Sequence, residues 1–151
     1  MAYENPEAER FNALVWEIVR QVPEGKVTTY GFIASMIPPP RGVAANDYAR
    51  LGPRWVGDAM NAVSGIDEPT VPWHRVINAR GGISLPEGSK AARLQRQRLE
   101  AEGIVFGPKN TCDLKKVGWE GPDAAWLEAR GLLQPQPRKK PDENSGQLPL
   151  F

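Results

Sequence analysis

The segment TTYGFIASMIPPP, residues 28–40, carries a start signal and a stop signal for one short helix. Thr29 is a suitable N-cap, because its hydroxyl can accept a hydrogen bond from a free N–H of the first turn. The three prolines at the end cannot continue a helix, since they lack the N–H donor that its interior requires. A helix is therefore predicted from Tyr30 up to the prolines.

A second short helix is predicted in PRWVGDAMNAV, residues 53–63, where Pro53 suits the first helical position. Its buried face is predicted to contain Val56, Ala59, Met60 and Val63. The intervening residues 41–52 are polar and contain glycine, which predicts a loop. Two short helices joined in this way resemble a helix-turn-helix in outline.

The flanking segments add two further helices. Residues 5–22 predict an amphipathic helix capped by Asn5, and its apolar stripe is Phe11, Leu14, Val15, Ile18 and Val22. Residues 89–103 predict a helix that Ser89 caps and Gly103 ends.

Residues 71–84, VPWHRVINARGGIS, predict a strand over 75–78, a turn at Gly81–Gly82 and a further short strand. The predicted fold class is mainly α with short strands.

Composition narrows the function classes. The chain has 151 residues, 40% of them apolar and 25% charged, with a net charge of +1. Any affinity for nucleic acid must therefore come from a local basic patch. The single cysteine excludes an internal disulfide and argues against a cysteine-based zinc site. With neither a signal peptide nor a long apolar run, we expect a soluble, cytoplasmic monomer with no membrane segment, metal or cofactor.

The composition changes at residue 134, where Pro, Gln and charged residues replace large apolar ones. This change in composition predicts a folded domain over residues 1–133 and a disordered tail over 134–151. The last five residues, QLPLF, are apolar again.

The only histidine, His74, has two interpretations: a hydrogen-bonded core residue or a catalyst. A catalytic histidine needs a nucleophile or a second acid–base group nearby. Its neighbour Trp73 can donate one hydrogen bond but cannot act as a nucleophile. Cys112 has no adjacent histidine, so it is predicted to be a structural thiol.

Basic residues occur in two groups. Arg50 and Arg54 lie near the start of the second short helix, where a helix-turn-helix contacts nucleic acid. The later group, on the helix that follows Ser89, is most simply a solvated face: Lys90, Arg93, Arg96 and Arg98. The first group leaves DNA binding as one open interpretation.

Four segments occur in an informative order: GKVTTYGFIA, PRWVGDAM, VPWHRVINARGGIS and RLEAEGI. Together they resemble the DNA-binding domain of the O6-alkylguanine-DNA alkyltransferases. Those enzymes carry Pro-Cys-His-Arg, whose cysteine accepts the alkyl group, whereas this chain has Trp73 in Pro-Trp-His-Arg. The substitution resembles the alkyltransferase-like proteins, and it implies a winged helix-turn-helix-like fold.

The resemblance implies roles for several residues on the DNA side. Tyr30 resembles the tyrosine that helps to rotate the target nucleotide, and Arg54 resembles the arginine that enters the duplex behind the flipped base. The helix from Arg54 to Val63 resembles the recognition helix, which lies in the minor groove. The implied DNA-binding set is Thr29, Tyr30, Arg54, Trp55, Gly57 and Asn61.

The resemblance also implies a pocket for the flipped base, with Trp73 at its wall where the cysteine would stand. The implied pocket set is Tyr30, Val71, Pro72, Trp73, Ile83, Ser84 and Leu85. His74 and Glu102 resemble the pair that activates the cysteine through a water. We expect them, with Arg75, to form an inherited structural network, hydrogen-bonded through water.

Two departures from the enzymes fit a binding protein better than a catalyst. Val63 stands where the enzymes place a hinge asparagine, and SLPEG replaces their glycine-tyrosine element. The resemblance therefore implies non-enzymatic recognition of O6-alkylguanine in double-stranded DNA by minor-groove binding and base flipping. It also implies that the complex flags the lesion for nucleotide excision repair through a UvrA-type partner.

Two alternatives remain. One is an active alkyltransferase that uses another residue, such as Cys112. The other is a winged-helix transcription regulator, for which Asp58 and Asn61 are the only obvious base readers on the helix.

The terminal QLPLF resembles the peptide that binds bacterial sliding clamps. An exposed Leu-Phe pair on a tether can enter an apolar groove; the alternative is a tail that packs on its own domain. A clamp partner implies a bacterial, nucleoid-associated protein. The candidate residues are Gln147, Leu148, Leu150 and Phe151.

Overall fold

The computed structural model describes residues 4–137, which form a mainly helical fold with one short sheet. Its α-helices are α1 (Ala8–Val19), α2 (Tyr30–Met36), α3 (Ala45–Asn61), α4 (Lys90–Ala101), α5 (Leu114–Val117) and α6 (Ala124–Ala129). The strands β1 (Thr28–Thr29) and β2 (Val76–Ile77) pair in parallel, with Thr28 opposite Val76 and Thr29 opposite Ile77. A 3₁₀ turn at Trp73–Arg75 leads into β2.

The main core lies between α1, α2 and α3. Phe11 on α1 meets both Tyr48 and Trp55 on α3 edge to face, with ring centroids 6.3 and 6.2 Å apart. Such arrangements are favoured by the opposite charges of ring edge and ring face. The indole N–H of Trp16 donates to the Ala59 carbonyl at 2.9 Å, which ties α1 to the far end of α3.

The start of α2 is as predicted. The Thr29 hydroxyl accepts a hydrogen bond from the Phe32 N–H at 3.2 Å. α2 and α3 approach closely because Gly52 has no side chain: a Cβ there would lie 3.1 Å from the Cβ of Ala34.

The start of α3 corrects the sequence prediction. The helix begins at Ala45, so residues 45–52 are helical and Pro53 lies inside the helix. A buried stripe continues across the proline at helical spacing, formed by Tyr48, Leu51, Trp55, Val56 and Ala59. The carbonyl that loses its partner to Pro53 is that of Ala49, on the exposed side. Packing therefore starts the helix about two turns earlier in the chain than Pro53, where the sequence predicted its first residue.

The start of α1 is also corrected. The Asn5 side chain accepts from the Glu7 N–H at 3.0 Å, which closes a turn before the helix, and Glu7 takes the N-cap position instead. Of the predicted stripe, Leu14 is half-buried, and the others are buried.

The segment around β2 contains less regular structure than predicted, since the strand was expected over residues 75–78. β2 covers two residues, because the 3₁₀ turn occupies the positions before it. The predicted turn is present: Gly81 has φ +90°, and a Cβ there would lie 2.5 Å from the Cys112 carbonyl oxygen. The second short strand is reduced to a single antiparallel bridge between Gly82 and Thr111.

The helix α4 matches its predicted signals. The Ser89 hydroxyl accepts from the Ala92 N–H at 3.1 Å, and Gly103 adopts φ +91° just past the C-terminus. α4 covers a second, smaller apolar cluster that contains Val27, Ile77, Leu99, Ile104 and Cys112.

The C-terminal part of the described chain packs against α2. Leu127 and Leu132 are buried in the main core, and the Leu133 N–H donates to the Met36 carbonyl at 2.8 Å. The Gln136 N–H donates to the Ser35 hydroxyl at 3.0 Å, so contacts continue past residue 133. Most of the predicted tail, with the QLPLF peptide, lies outside the described residues. Between residues 4 and 137, no helix is long and apolar enough to cross a membrane.

Candidate nucleic-acid interface

Glu102, at the C-terminal cap of α4, joins three separate parts of the chain. His74 Nε2 lies 2.8 Å from its Oε2, and the Arg75 guanidinium binds both carboxylate oxygens at 2.7–3.2 Å. The Gly25 N–H approaches Oε1 at 3.3 Å, and Arg75 also donates to the Val22 carbonyl at 2.8 Å. The predicted network of His74, Arg75 and Glu102 thus forms by direct contact, which corrects the expected link through water.

The network fixes the charges of its members. Burial raises the pKa of Glu102, but hydrogen bonds from Arg75, His74 and Gly25 outweigh burial and hold that pKa at about 2. Burial lowers the pKa of His74, and Glu102 offsets only part of that effect. His74 is therefore neutral at pH 7, with its proton on Nε2 facing a carboxylate that can only accept. Its buried Nδ1 has no hydrogen-bond partner in the described chain.

Trp73 is half-buried beside this network. Its ring lies perpendicular to that of His74, with centroids 6.4 Å apart. The Arg98 guanidinium lies 5.5 Å from the centroid of the Trp73 ring, and the indole N–H approaches Glu68 Oε1 at 3.5 Å. Arg98 and Glu68 also form an ion pair at 2.5 Å. Trp73 is thus held from three directions.

Tyr30 begins α2, and its side chain hydrogen-bonds to that of Ser84. Burial raises the pKa of Tyr30, so the phenol keeps its proton at neutral pH. The structure therefore brings Tyr30 next to the loop assigned to the pocket. Of the other predicted pocket residues, Val71 is fully buried, and the rest are half-buried: Pro72, Ile83 and Leu85.

The outer face of α3 carries the charged DNA-side candidates. Arg50 and Arg54 lie four residues apart, hence on one face, and both are exposed, as is Asn61. Gly57 is half-buried. Arg50 approaches Asp47 at 3.7 Å, while no ion pair of Arg54 occurs within residues 4–137. Asp58, one turn after Arg54, is also exposed, so this face presents charges of both signs, with both arginines accessible to solvent.

Two residues of the predicted DNA-binding set are buried and have structural roles instead. Thr29 and Trp55 are each only 4% exposed. The Thr29 hydroxyl caps α2, and the Trp55 ring packs on Phe11 in the core. Trp55 follows Arg54 in sequence, but consecutive residues lie about 100° apart around a helix, which here puts Arg54 in solvent and Trp55 in the core.

Arg98 was predicted to lie on a solvated face, but its guanidinium contacts the Trp73 ring. Glu68 also contacts Trp73, and no sequence pattern identifies it. One signal was available: Arg98 and Glu102 are four residues apart, which places both on the same face of α4. Glu68 lies in a loop and offers no such periodicity.

The described residues give little support for a metal site or for a reactive cysteine. No cluster of three metal-ligating side chains occurs in the part of the chain that the structure describes. Cys112 is buried, and burial raises the pKa of its thiol, which disfavours the reactive thiolate.

A helix-turn-helix core, two exposed arginines on the outer face of its second helix and a tyrosine beside a candidate pocket are typical of a DNA-binding class of domain. Residues 10–104 match the family described as 6-O-methylguanine DNA methyltransferase, DNA binding domain. The chain belongs to this family, which confirms the resemblance and the fold class predicted from it.

Named relatives share most of this region. The chain is 38% identical over 111 residues to the "DNA base-flipping protein" of Escherichia coli, covering 74% of this chain and 75% of that protein. It is 43% identical over 96 residues to "Alkyltransferase-like protein 1" of Schizosaccharomyces pombe, covering 64% and 78% of the two chains. The crystal structure of S. pombe Atl1 with damaged DNA containing O6-carboxymethylguanine matches with a TM-score of 0.54 and 37% identity, covering 74% of this chain and 95% of that one.

Proposed function

We propose that this protein recognises O6-alkylguanine in double-stranded DNA by minor-groove binding and base flipping, and that it leaves the alkyl group in place. The observation that carries the proposal is Trp73, beside the His74–Glu102 pair, at the position where the family's enzymes have their cysteine. The relatives support it, since one is named for base flipping and another is solved with alkylated DNA.

Arg54, Tyr30 and Trp73 each suit one step of this task. Extruding a base costs roughly a few kcal/mol of pairing and stacking, and a damaged base costs less. Arg54 on the outer face of α3 is free to fill the space that the base leaves, and Tyr30 stands beside the pocket loop. An apolar wall at Trp73 favours an added alkyl group by about 0.8 kcal/mol per buried CH2.

The absence of enzymatic activity follows from the chemistry of the same residues. The indole nitrogen of Trp73 carries a proton and its lone pair belongs to the aromatic ring, so it is far less able than a cysteine thiolate to accept an alkyl group. Cys112 lies in the smaller apolar cluster with its thiol protonated. Thus neither residue supplies the covalent step.

The decisive experiment titrates a fluorescent duplex with one O6-methylguanine beside the matched guanine duplex, at fixed salt because phosphate contacts make affinity salt-dependent. A radiolabel on the methyl group reports transfer in the same samples. We expect tighter binding to the lesion and all label on the DNA. Label on the protein would establish an alkyltransferase, and equal affinities would leave a generic minor-groove binder.

A sequence-reading regulator, for which exposed side chains such as Arg50, Asp58 and Asn61 on α3 could read bases, is the weaker candidate, because the named relatives are base-flipping and alkyltransferase-like proteins. Such a protein would prefer a particular undamaged operator. Selection from a random duplex library without lesions would reveal that preference, and we expect none.

We further propose that the bound complex recruits a UvrA-type excision-repair protein in the cytoplasm of a bacterium, and that residues 134–151 tether the domain to a sliding clamp. The terminal QLPLF supports the second partner. A pull-down with clamp should lose the protein when Leu150 and Phe151 are both changed to alanine. The control is Leu133→Ala, a half-exposed leucine outside the peptide. Equal capture of all three proteins would exclude the clamp.

A further inference from the structure

Trp73 has a set of polar contacts that the His74–Glu102 pair does not supply. The carboxylate of Glu68 faces the indole N–H at 3.5 Å, and the guanidinium of Arg98 lies over the ring at 5.5 Å from its centroid. Because Glu68 and Arg98 pair with each other at 2.5 Å, the two contacts form one closed triangle. Each holds the other in place against the ring.

The triangle is anchored at both ends. Arg98 stands on α4, one turn before Glu102, whose carboxylate is bound by His74 and Arg75. Glu68 stands in a turn closed by its own N–H to the Ser64 carbonyl at 2.9 Å and by the Asp67 carboxylate on the Ser64 hydroxyl at 2.9 Å. The two charged groups therefore reach Trp73 from ordered backbone.

A half-buried tryptophan without such contacts samples more than one staggered side-chain conformation. A wall that must first be ordered when a base arrives weakens binding, whereas a preformed wall does not. Ordering matters most for a ligand that touches the wall, which here is the alkyl group rather than the sugar–phosphate backbone. A change in ring order should thus alter discrimination more than general DNA affinity.

We propose that Glu68 and Arg98 are positioning residues that hold the Trp73 ring as a preformed pocket wall and so set the preference for O6-alkylguanine over guanine. The inference rests on the proposed function, because it assigns Trp73 to the lesion pocket. It adds two residues to the pocket: Arg98, which begins the RLEAEGI segment, and Glu68, which lies in a loop outside all four segments that carry the family resemblance.

The test compares Glu68→Gln and Arg98→Gln, which change the net charge in opposite directions. Charge alone predicts opposite effects on affinity for every duplex, and an unchanged ratio between the lesion and guanine duplexes. The positioning role predicts that both variants lower this ratio, by about three- to tenfold, as expected for the loss of a cation–π contact and its partner. Arg98→Lys, which keeps the cation and the ion pair, should restore most of it.

The matched control is Arg93→Gln, an exposed position on the same helix with the same change in charge. We expect its ratio to equal that of the wild type. Thermal unfolding of each variant checks that the domain is folded, and Glu68→Gln carries the test if Arg98→Gln is unstable.

The outcomes separate the two proposals. If Trp73→Ala lowers the ratio while Glu68→Gln and Arg98→Gln leave it unchanged, the positioning role is wrong and the proposed function stands. If the wild type itself shows no preference for the lesion, the proposed function fails. A reduced ratio in both charge variants, with Arg93→Gln unaffected, supports the inference.

Discussion

The Glu102 network and the outer face of α3 differ in how their charged groups are paired, although both belong to one small domain. The Glu102 side chain is 10% exposed and receives hydrogen bonds from His74, Arg75 and Gly25. Arg54, on α3, is exposed and has no ion pair within residues 4–137. A carboxylate with its hydrogen bonds satisfied stabilises the fold and has little capacity left for a ligand. An exposed cation without an ion pair in that part of the chain contributes little to folding and is accessible to a ligand.

The largest expected effect is a loss of stability when the Glu102 network is disrupted. Glu102→Gln removes a charge that His74, Arg75 and the Gly25 N–H all face, and such losses cost about 3–5 kcal/mol when the remaining partner is buried. Chemical denaturation measures the free energy of unfolding. The control is Glu100→Gln on the same helix, whose carboxylate is 52% exposed and pairs with Arg96 at 3.4 Å. A loss no greater than that of the control would show that the network is not structural.

Acid should weaken the same network, in a defined range. The pKa of Glu102 in the fold is about 2, below its usual 4.5, so its contribution is fully present above pH 4.5 and is lost as pH falls toward 2. The difference corresponds to about 3 kcal/mol at 1.4 kcal/mol per pKa unit. The lowered pKa of His74 acts in the same direction, beginning below pH 6.5.

Unfolding free energies of the wild type and Glu102→Gln, measured between pH 7 and pH 3, check this expectation. The two curves should converge on acidification. Parallel curves would mean that Glu102 does not titrate as its contacts require.

A smaller effect is expected on the α3 side. Arg54→Ala should weaken binding to the lesion duplex by roughly 1–3 kcal/mol, because stacking inside the duplex is lost. The free energy of unfolding should hardly change, since the side chain lies in solvent. Fluorescence titration measures the first and denaturation the second. Arg20→Ala, at another exposed arginine, is the control for charge, and equal losses in both variants would mean that Arg54 is not the inserted residue.

The smallest expected change is in reactivity. Trp73→Cys restores the enzyme's Pro-Cys-His-Arg, but Val63 and the SLPEG segment remain. We expect no efficient alkyl transfer in a single-turnover assay with labelled DNA. Rapid transfer would show that the network around His74 is still competent and that the two departures are unimportant.

Local signals in the sequence predicted the parts of the fold that local interactions build. Thr29 and Ser89 cap their helices by hydrogen bonds three residues away, so short segments contain the whole interaction. The N-terminal half of α3 was missed because it is held by packing of Tyr48 on residues far away in the chain, including Phe11. That packing overrides Pro53, and no local rule contains it.

For the candidate site, too, some residues could be identified from the sequence while their contacts could not. The resemblance identified His74, Arg75 and Glu102, yet only the structure shows that they touch directly. Arg98 and Glu68 are thirty residues apart, and their pairing depends on where a loop folds back onto α4. Trp55 was assigned to the wrong side because sequence adjacency to Arg54 says nothing about the direction of a side chain on a helix.

The hydrogen bond from Gln136 to Ser35 has a consequence for anything held by the chain beyond it. It attaches the end of the described chain to α2, whose first residue, Tyr30, stands at the candidate pocket. Gln147 lies ten positions after Pro137, a reach of at most about 35 Å. A protein captured at residues 147–151 would therefore meet the DNA-bound domain at a millimolar effective concentration, whatever its concentration in the cell.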